Sequence, residues 1–176
     1  MPETIRINFV TGAARRYMSE VEALAALPER VAAAVAGAPA SWVTAEPKPG
    51  EWSPARVLGH LVAYARISHE NLYRMSYMTD PLIKRVDDEG ENERNDWAAQ
   101  PTQQLLTAID EGIARSVELL KELPDASWGR PGQHPEDGRR SIRQHAVAMV
   151  KHFDEHIAQI EAARACHRPR VPSSRS

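Results

Sequence analysis

An all-α four-helix bundle is the fold this sequence predicts, and three observations carry it. Apolar residues recur at three- and four-residue spacing along four long stretches, with no sustained two-residue alternation beyond the short IRINFV stretch. Two of those stretches open on strong helix-start signals, Ser53-Pro54 and Ser141-x-x-Gln144. Proline- and glycine-rich or strongly polar segments separate the four.

The first helical stretch runs from about Thr11 to Ala36. Tyr17, Val21, Leu24, Val31 and Ala34 form its stripe, and Pro28 predicts a kink or break near Leu27. Gly37 to Glu51 holds Pro39, Pro47, Pro49 and Gly50 and reads as a connection, not an element. The second helix starts with Ser53 as cap and Pro54 at the first helical position, and runs to about Thr79, before Pro81. Val57, His60, Leu61 and Tyr64 share its inward stripe. Asp87 to Asp96 lacks apolar residues and reads as a solvated acidic loop. Thr102 is placed to cap a third helix, Gln103 to Leu123, with Leu106, Ile109, Ile113, Val117 and Leu120 inward; Pro124 ends it. A loop of turn residues, Asp125 to Arg140, leads to the fourth helix. That helix opens on Ser141 and Gln144 and runs to about Ala165, with His145, Met149, His152, Phe153, His156 and Ile160 in one stripe.

The expected organisation is an N-terminal segment over 1–11, one bundle domain over 12–166 and a flexible basic tail over 167–176. With 176 residues, 42% hydrophobic and 26% charged, the chain can bury a substantial core. A net charge of -2 gives no electrostatic case for nucleic acid or an anionic membrane as partner. No apolar run is long enough to span a bilayer, and the early acid of MPETIRINFV does not suit a secretory signal. The single cysteine, Cys166, cannot form an intrachain disulfide. A cytoplasmic protein acting on a small molecule is the expectation.

Three histidines carry the chemistry. His152 and His156 are four residues apart on one helix face, and His60 lies inward on another helix. Burying three imidazoles without a metal would require three sets of hydrogen-bond partners, each costing ~1–3 kcal/mol if missing. One ion satisfies three nitrogens and leaves coordination positions open, as catalytic sites do. Imidazole suits zinc, nickel, copper or iron. A di-iron carboxylate site is disfavoured because no histidine has a glutamate three residues before it, and a zincin site because residue 153 is Phe. His145, two turns before His152, is too far to share an ion and reads as a core or rim residue. Gln159 lies near the ligand face, where it could bond a water. His69 falls on the opposite helix face from His60 and reads as exposed; His134 and His167 fall in a loop and in the tail. Cys166 reads as incidental.

Two segments resemble the DinB/YfiT-like superfamily. In PKPGEWSPARVLGHLV, Pro47 to Val62, a Trp-Ser-Pro segment opens the second helix and a histidine follows. In DGRRSIRQHAVAMVKHFDEHIAQIE, Asp137 to Glu161, a Gly-basic-Ser turn opens a helix carrying His-x-x-x-His. The resemblance covers roughly 12–165. It implies an up-down-down-up bundle, a single divalent ion (often nickel or zinc) held by His60, His152 and His156, and frequent homodimers. It also implies thiol-cofactor chemistry, since bacillithiol S-transferases and mycothiol-dependent maleylpyruvate isomerases are relatives.

The expected activity is therefore metal-assisted activation of a low-molecular-weight thiol for S-transfer to an electrophile. Hydrolysis, or a non-catalytic metal-binding or scaffold role, is the alternative. Arg56, Arg139, Arg140 and Arg143 lie near two helix starts, most of them expected on solvated surface. Trp52, Trp97 and Trp128 lie in or beside connections, where they would pack on the bundle or line a pocket. No carboxylate stands out as a base; Glu155 is nearest in sequence to the ligand face but projects to its side.

Overall fold

The structure, a computed structural model, describes residues 13–136 and 138–167, and of 166 and 167 the backbone only. The segment 1–11, most of the tail and the side chains of Cys166 and His167 lie outside the described residues.

Pro28 breaks the first long helix. A 3₁₀ turn at Arg15–Tyr17 leads into α1, Met18–Ala25, and α2 begins at Leu27 and runs to Val35. Pro28 sits in the first turn of α2, where its missing N–H is no loss. Val21, Leu24, Val31 and Ala34 are buried, as their spacing predicts. The following connection is not featureless: α3, Ala40–Thr44, buries Trp42 and Val43 at 4% exposure each. Surrounding prolines hide this anchor, because a five-residue helix is too short to show a period.

The second long helix, α4, spans Pro54–Tyr77, with the Ser53 hydroxyl accepting from the Arg56 amide at 3.2 Å. The acidic stretch after it corrects the loop expectation, because Asp88–Asn95 is a helix, α5. Asp87 caps it by accepting from the Gly90 amide, and Asp88, Glu89 and Glu91 complement the dipole of its first turn. No residue of α5 is buried, so hydrophobic periodicity could not reveal it. Trp97 follows and packs on α4 at Gly59, where an added Cβ would lie 2.0 Å from the indole Cγ. Only glycine permits that approach.

The third long helix, α6, spans Thr102–Glu122 with Pro101 at the cap position, so Thr102 is the first helical residue and not the cap. Leu105 is fully inside while Leu106 is only partly covered, which turns the predicted stripe by one residue. The loop before the last helix is also structured. A 3₁₀ turn at Asp125–Gly129 buries Trp128, which stacks on Tyr17 at 4.4 Å, and a hairpin follows. Its strands are β1, Pro131–His134, and β2, Gly138–Ser141, paired antiparallel with Pro131 opposite Ser141. Finally α7 spans Ile142–His167. Its capping box is reciprocal: the Gln144 amide donates to Ser141 Oγ, and the Ser141 amide donates to Gln144 Oε1.

The packing order is not the sequence order. Helix α4 packs on α6 and α7, and α1 and α2 pack on the same two helices. The first and second arms of the bundle therefore stand diagonally opposed, and the connection through α3 crosses between them. This brings the inward face of α4 directly against α7. Among the described residues no helix is long and apolar enough to cross a membrane.

Candidate metal centre

The contact between α4 and α7 brings the three predicted histidines together. One ring nitrogen from each of His60, His152 and His156 lies within 4.8 Å of the others. His60 Nε2 and His152 Nε2 are 2.7 Å apart. His60 is buried at 8% exposure, while His152 and His156 are half-buried. Phe153 and Ile157, both buried, fix the rotation of α7 that presents its two histidines. Tyr64 stacks on the His152 ring at 3.9 Å, and Trp52 tilts against His60 at 5.5 Å.

Two of the rings are held from behind. Asp88 accepts from His60 Nδ1 at 2.5 Å, and Gln159 Oε1 accepts from His156 Nδ1 at 2.8 Å. An acceptor at Nδ1 places the proton there and leaves Nε2 with a lone pair. Gln159 thus orients a ring, where the sequence suggested a contact to water. Burial, with the neighbouring His156 and His60, pushes His152 down to about 3, and burial likewise lowers His156. Both are therefore neutral imidazoles at pH 7, the form that binds cations.

The donor set fits a borderline divalent ion. Tetrahedral bonds of ~2.0–2.1 Å would separate the nitrogens by ~3.3 Å. That value lies between the 2.7 Å of the closest pair and the 4.8 Å limit for the set, so ring rotations of less than ~2 Å would fit the three rings around one ion. The 2.7 Å contact also needs one nitrogen to donate to the other, a proton that an ion would replace.

Asp88 is the residue the sequence reading missed. It belongs to a run of acids without apolar residues, and nothing in the run distinguishes it from Asp87 or Glu89. Replacing it with asparagine should weaken metal binding by roughly 10–100-fold, the usual effect of losing a carboxylate behind a ligating histidine. A competitive chelator titration of Asp88→Asn against the parent measures this directly. Glu155, by contrast, is exposed and faces Lys151 at 3.8 Å.

The remaining candidates separate clearly. His69 is half-buried, not exposed, with Nδ1 lacking a partner, and burial lowers its pKa. Arg56 lies over the Trp52 ring at 4.6 Å, Arg139 faces Asp80 at 3.4 Å and Arg143 pairs with Glu20 at 2.6 Å. Trp97 and Trp128 are core residues, whereas Trp52 lines a groove.

His145 is 3% exposed, and among the described residues neither ring nitrogen has a hydrogen-bond partner. The Ser68 backbone carbonyl is close enough to oppose the shift slightly, yet it lies outside hydrogen-bond geometry. Burial, with Arg140 and His134 nearby, pushes His145 down to about 4 from 6.5. The unfolded chain therefore takes up a proton below pH 6.5 that the folded protein refuses until about pH 4. The His145 contribution to stability should fall through that window by up to ~3 kcal/mol and then level off. Denaturant melts at pH 7, 5.5 and 4.5 should show stability falling in the parent and falling less steeply in His145→Leu, the remaining slope coming from His152, His156 and His69.

Two cavities meet at the cluster. The outer one, about 590 Å³, runs beside His156 and Gln159 and is walled by Pro47, Trp52, Val57 and Ile160. The smaller one, about 150 Å³, reaches His60 and His152 and is lined by Tyr64, Ile67, Arg140 and His145.

Comparison with known proteins gives the same architecture. Residues 23–160 match the DinB superfamily. Among solved structures, the chain is similar to YfiT from Bacillus subtilis, described as a probable metal-dependent hydrolase with an unusual four-helix bundle topology. The TM-score is 0.79 at 20% identity, covering 94% of this chain and 91% of that one. No curated protein matches the chain.

Proposed function

The chain belongs to the DinB superfamily, and from that premise we propose that it is a mononuclear metal-dependent enzyme that activates a small-molecule thiol for transfer to an electrophile. His60, His152 and His156 are the proposed holders of one divalent ion; imidazole suits zinc, nickel, copper or iron, and the family resemblance points to nickel or zinc. The observation that carries the reading is the convergence of three imidazoles from two helices, two of them oriented from behind by Asp88 and Gln159.

An ion there would supply positive charge that lowers the pKa of a bound thiol or water. The protein supplies the rest. Asp88 and Gln159 fix the ring tautomers, so that lone pairs point to one place. Tyr64 and Trp52 cover His152 and His60 and limit access of bulk water to them. Two cavities border the cluster, one at His156 and one at His60 and His152, which gives room for two reactants and supports transfer beside simple hydrolysis.

Hydrolysis is the second reading, favoured by the description of the similarly folded YfiT as a probable metal-dependent hydrolase. One assay separates the two. Nickel- or zinc-loaded protein is incubated with cysteine-derived thiols and 1-chloro-2,4-dinitrobenzene, and in parallel with ester and amide substrates. Thioether formation above background, absent in His60→Ala, supports transfer. Substrate cleavage without any thiol requirement replaces it with hydrolysis.

A further inference from the structure

The larger of the two cavities has a chemical character that the metal reading does not use. Its volume of about 590 Å³ lies within the ~300–1,000 Å³ of small-molecule sites. Along α7 it runs from His156 to Ala163, two turns of one helix face or roughly 10 Å. Val57 and Ile160 reach it from the buried core, while Pro47, Trp52, Ala162 and Ala163 each keep part of their surface exposed. Its charged lining residues are Lys48 and Glu51, which pair with each other at 2.9 Å. A charged group entering it would exchange water for apolar walls and an ion pair already made. The smaller cavity is different in kind, lined by Lys84, Arg85, Arg140 and Asp88. Trp52 gives the larger one an aromatic wall. The Arg56 guanidinium lies 4.6 Å from the centre of the Trp52 ring, and the His60 ring tilts against it at 5.5 Å. An indole held by two neighbours is a preformed surface for another aromatic ring.

We propose that this cavity binds the electrophile through an uncharged aromatic group, which packs on Trp52 and extends along α7 toward Ala163, leaving the reacting end beside His156. The proposal rests on the reading of the three histidines as a metal centre, and it narrows the electrophile to neutral aromatic compounds. A cysteine-derived thiol carries charged ammonium and carboxylate groups, which suit the charged lining of the smaller cavity better. Trp52 and Ala163 bind and position the substrate here and take no part in bond-making.

The test uses the metal-free full chain and two probes of one shape, 2-acetylnaphthalene and 2-naphthoate, titrated by calorimetry. Without an ion no carboxylate can be held by a metal, so the comparison reads the cavity alone. The neutral ketone should saturate one site and bind at least tenfold more tightly than the anion. Ala163→Glu should weaken the ketone at least fivefold with the helical signal unchanged. No saturable binding, a smaller preference for the ketone, or a smaller loss in the variant would overturn the site. If Ala163→Glu does not fold, the Ala163 methyl resonance of the parent decides. A saturable shift with the ketone supports the cavity, and its absence overturns it. In zinc-loaded protein the ketone should compete with 1-chloro-2,4-dinitrobenzene and leave the KM of the thiol unchanged. Competition with the thiol instead would give the cavity to the other reactant and overturn the assignment. Zinc content of the loaded sample tests the metal reading by itself, since binding to the metal-free chain does not depend on it.

Discussion

Replacing His152 with alanine is expected to abolish near-stoichiometric metal binding while leaving the bundle folded. His152 is the central member of the cluster, 2.7 Å from His60 Nε2 and in edge contact with His156 at 4.6 Å. A structural zinc site gains ~10–16 kcal/mol from about four ligands, so one ligand accounts for ~3 kcal/mol, or about a hundredfold in affinity. The side chain is only half-buried, and its desolvated imidazole contributes little to the core, which lies behind it in Phe153 and Leu61. Elemental mass spectrometry on tag-free protein, with circular dichroism alongside, checks both halves. Full metal content in the variant would place the ion elsewhere. A collapsed helical signal would make the cluster part of the scaffold.

Phe153→Ala should have the opposite profile, a large loss of stability from a residue with no ligand atom. Its ring is fully buried and meets Tyr64 edge-on at 6.1 Å. Removing a buried phenyl ring typically costs ~3–5 kcal/mol, a large part of the ~5–15 kcal/mol that a domain has in total. At this size the loss corresponds to a fall in Tm of about 10 °C. Tyr64 would also lose its packing, and Tyr64 stacks on His152, so metal affinity should fall by a smaller factor. Thermal melts with and without added zinc separate the two effects. A change in Tm below about 3 °C would mean that α7 repacks without its central ring.

The helices that carry the histidines are legible in the sequence because their signals are local and redundant. Ser53, Pro54 and the Ser141–Gln144 pair mark where α4 and α7 begin, and the inward stripes then fix which histidines face the core. The connections that hold unforeseen elements share a different property, since their structure depends on partners far along the chain. The short helix with Trp42 and the 3₁₀ turn with Trp128 have apolar residues that are buried by the bundle rather than by each other. The β1–β2 hairpin has the half-buried, turn-rich composition of a loop. Asp88 reaches His60 across twenty-eight positions, a pairing no periodicity encodes.

Helix α5 is anchored to the bundle without burying a side chain. It is tied to α4 by the Asp88–His60 bond and the Arg66–Glu91 pair at 2.7 Å. Such a segment can open on its own, at a free-energy cost far below that of global unfolding. Each opening would free the His60 ring from its acceptor while leaving α4 and α7 in place. The same coupling works in reverse: an ion that requires the His60 tautomer set by Asp88 favours the closed segment. The α5 amides should therefore exchange with deuterium much faster than those of α4 in the metal-free protein, and slow selectively once zinc is added. A helix that the core does not need would then act as the latch on the site, and its breathing would set how quickly the metal is gained and lost.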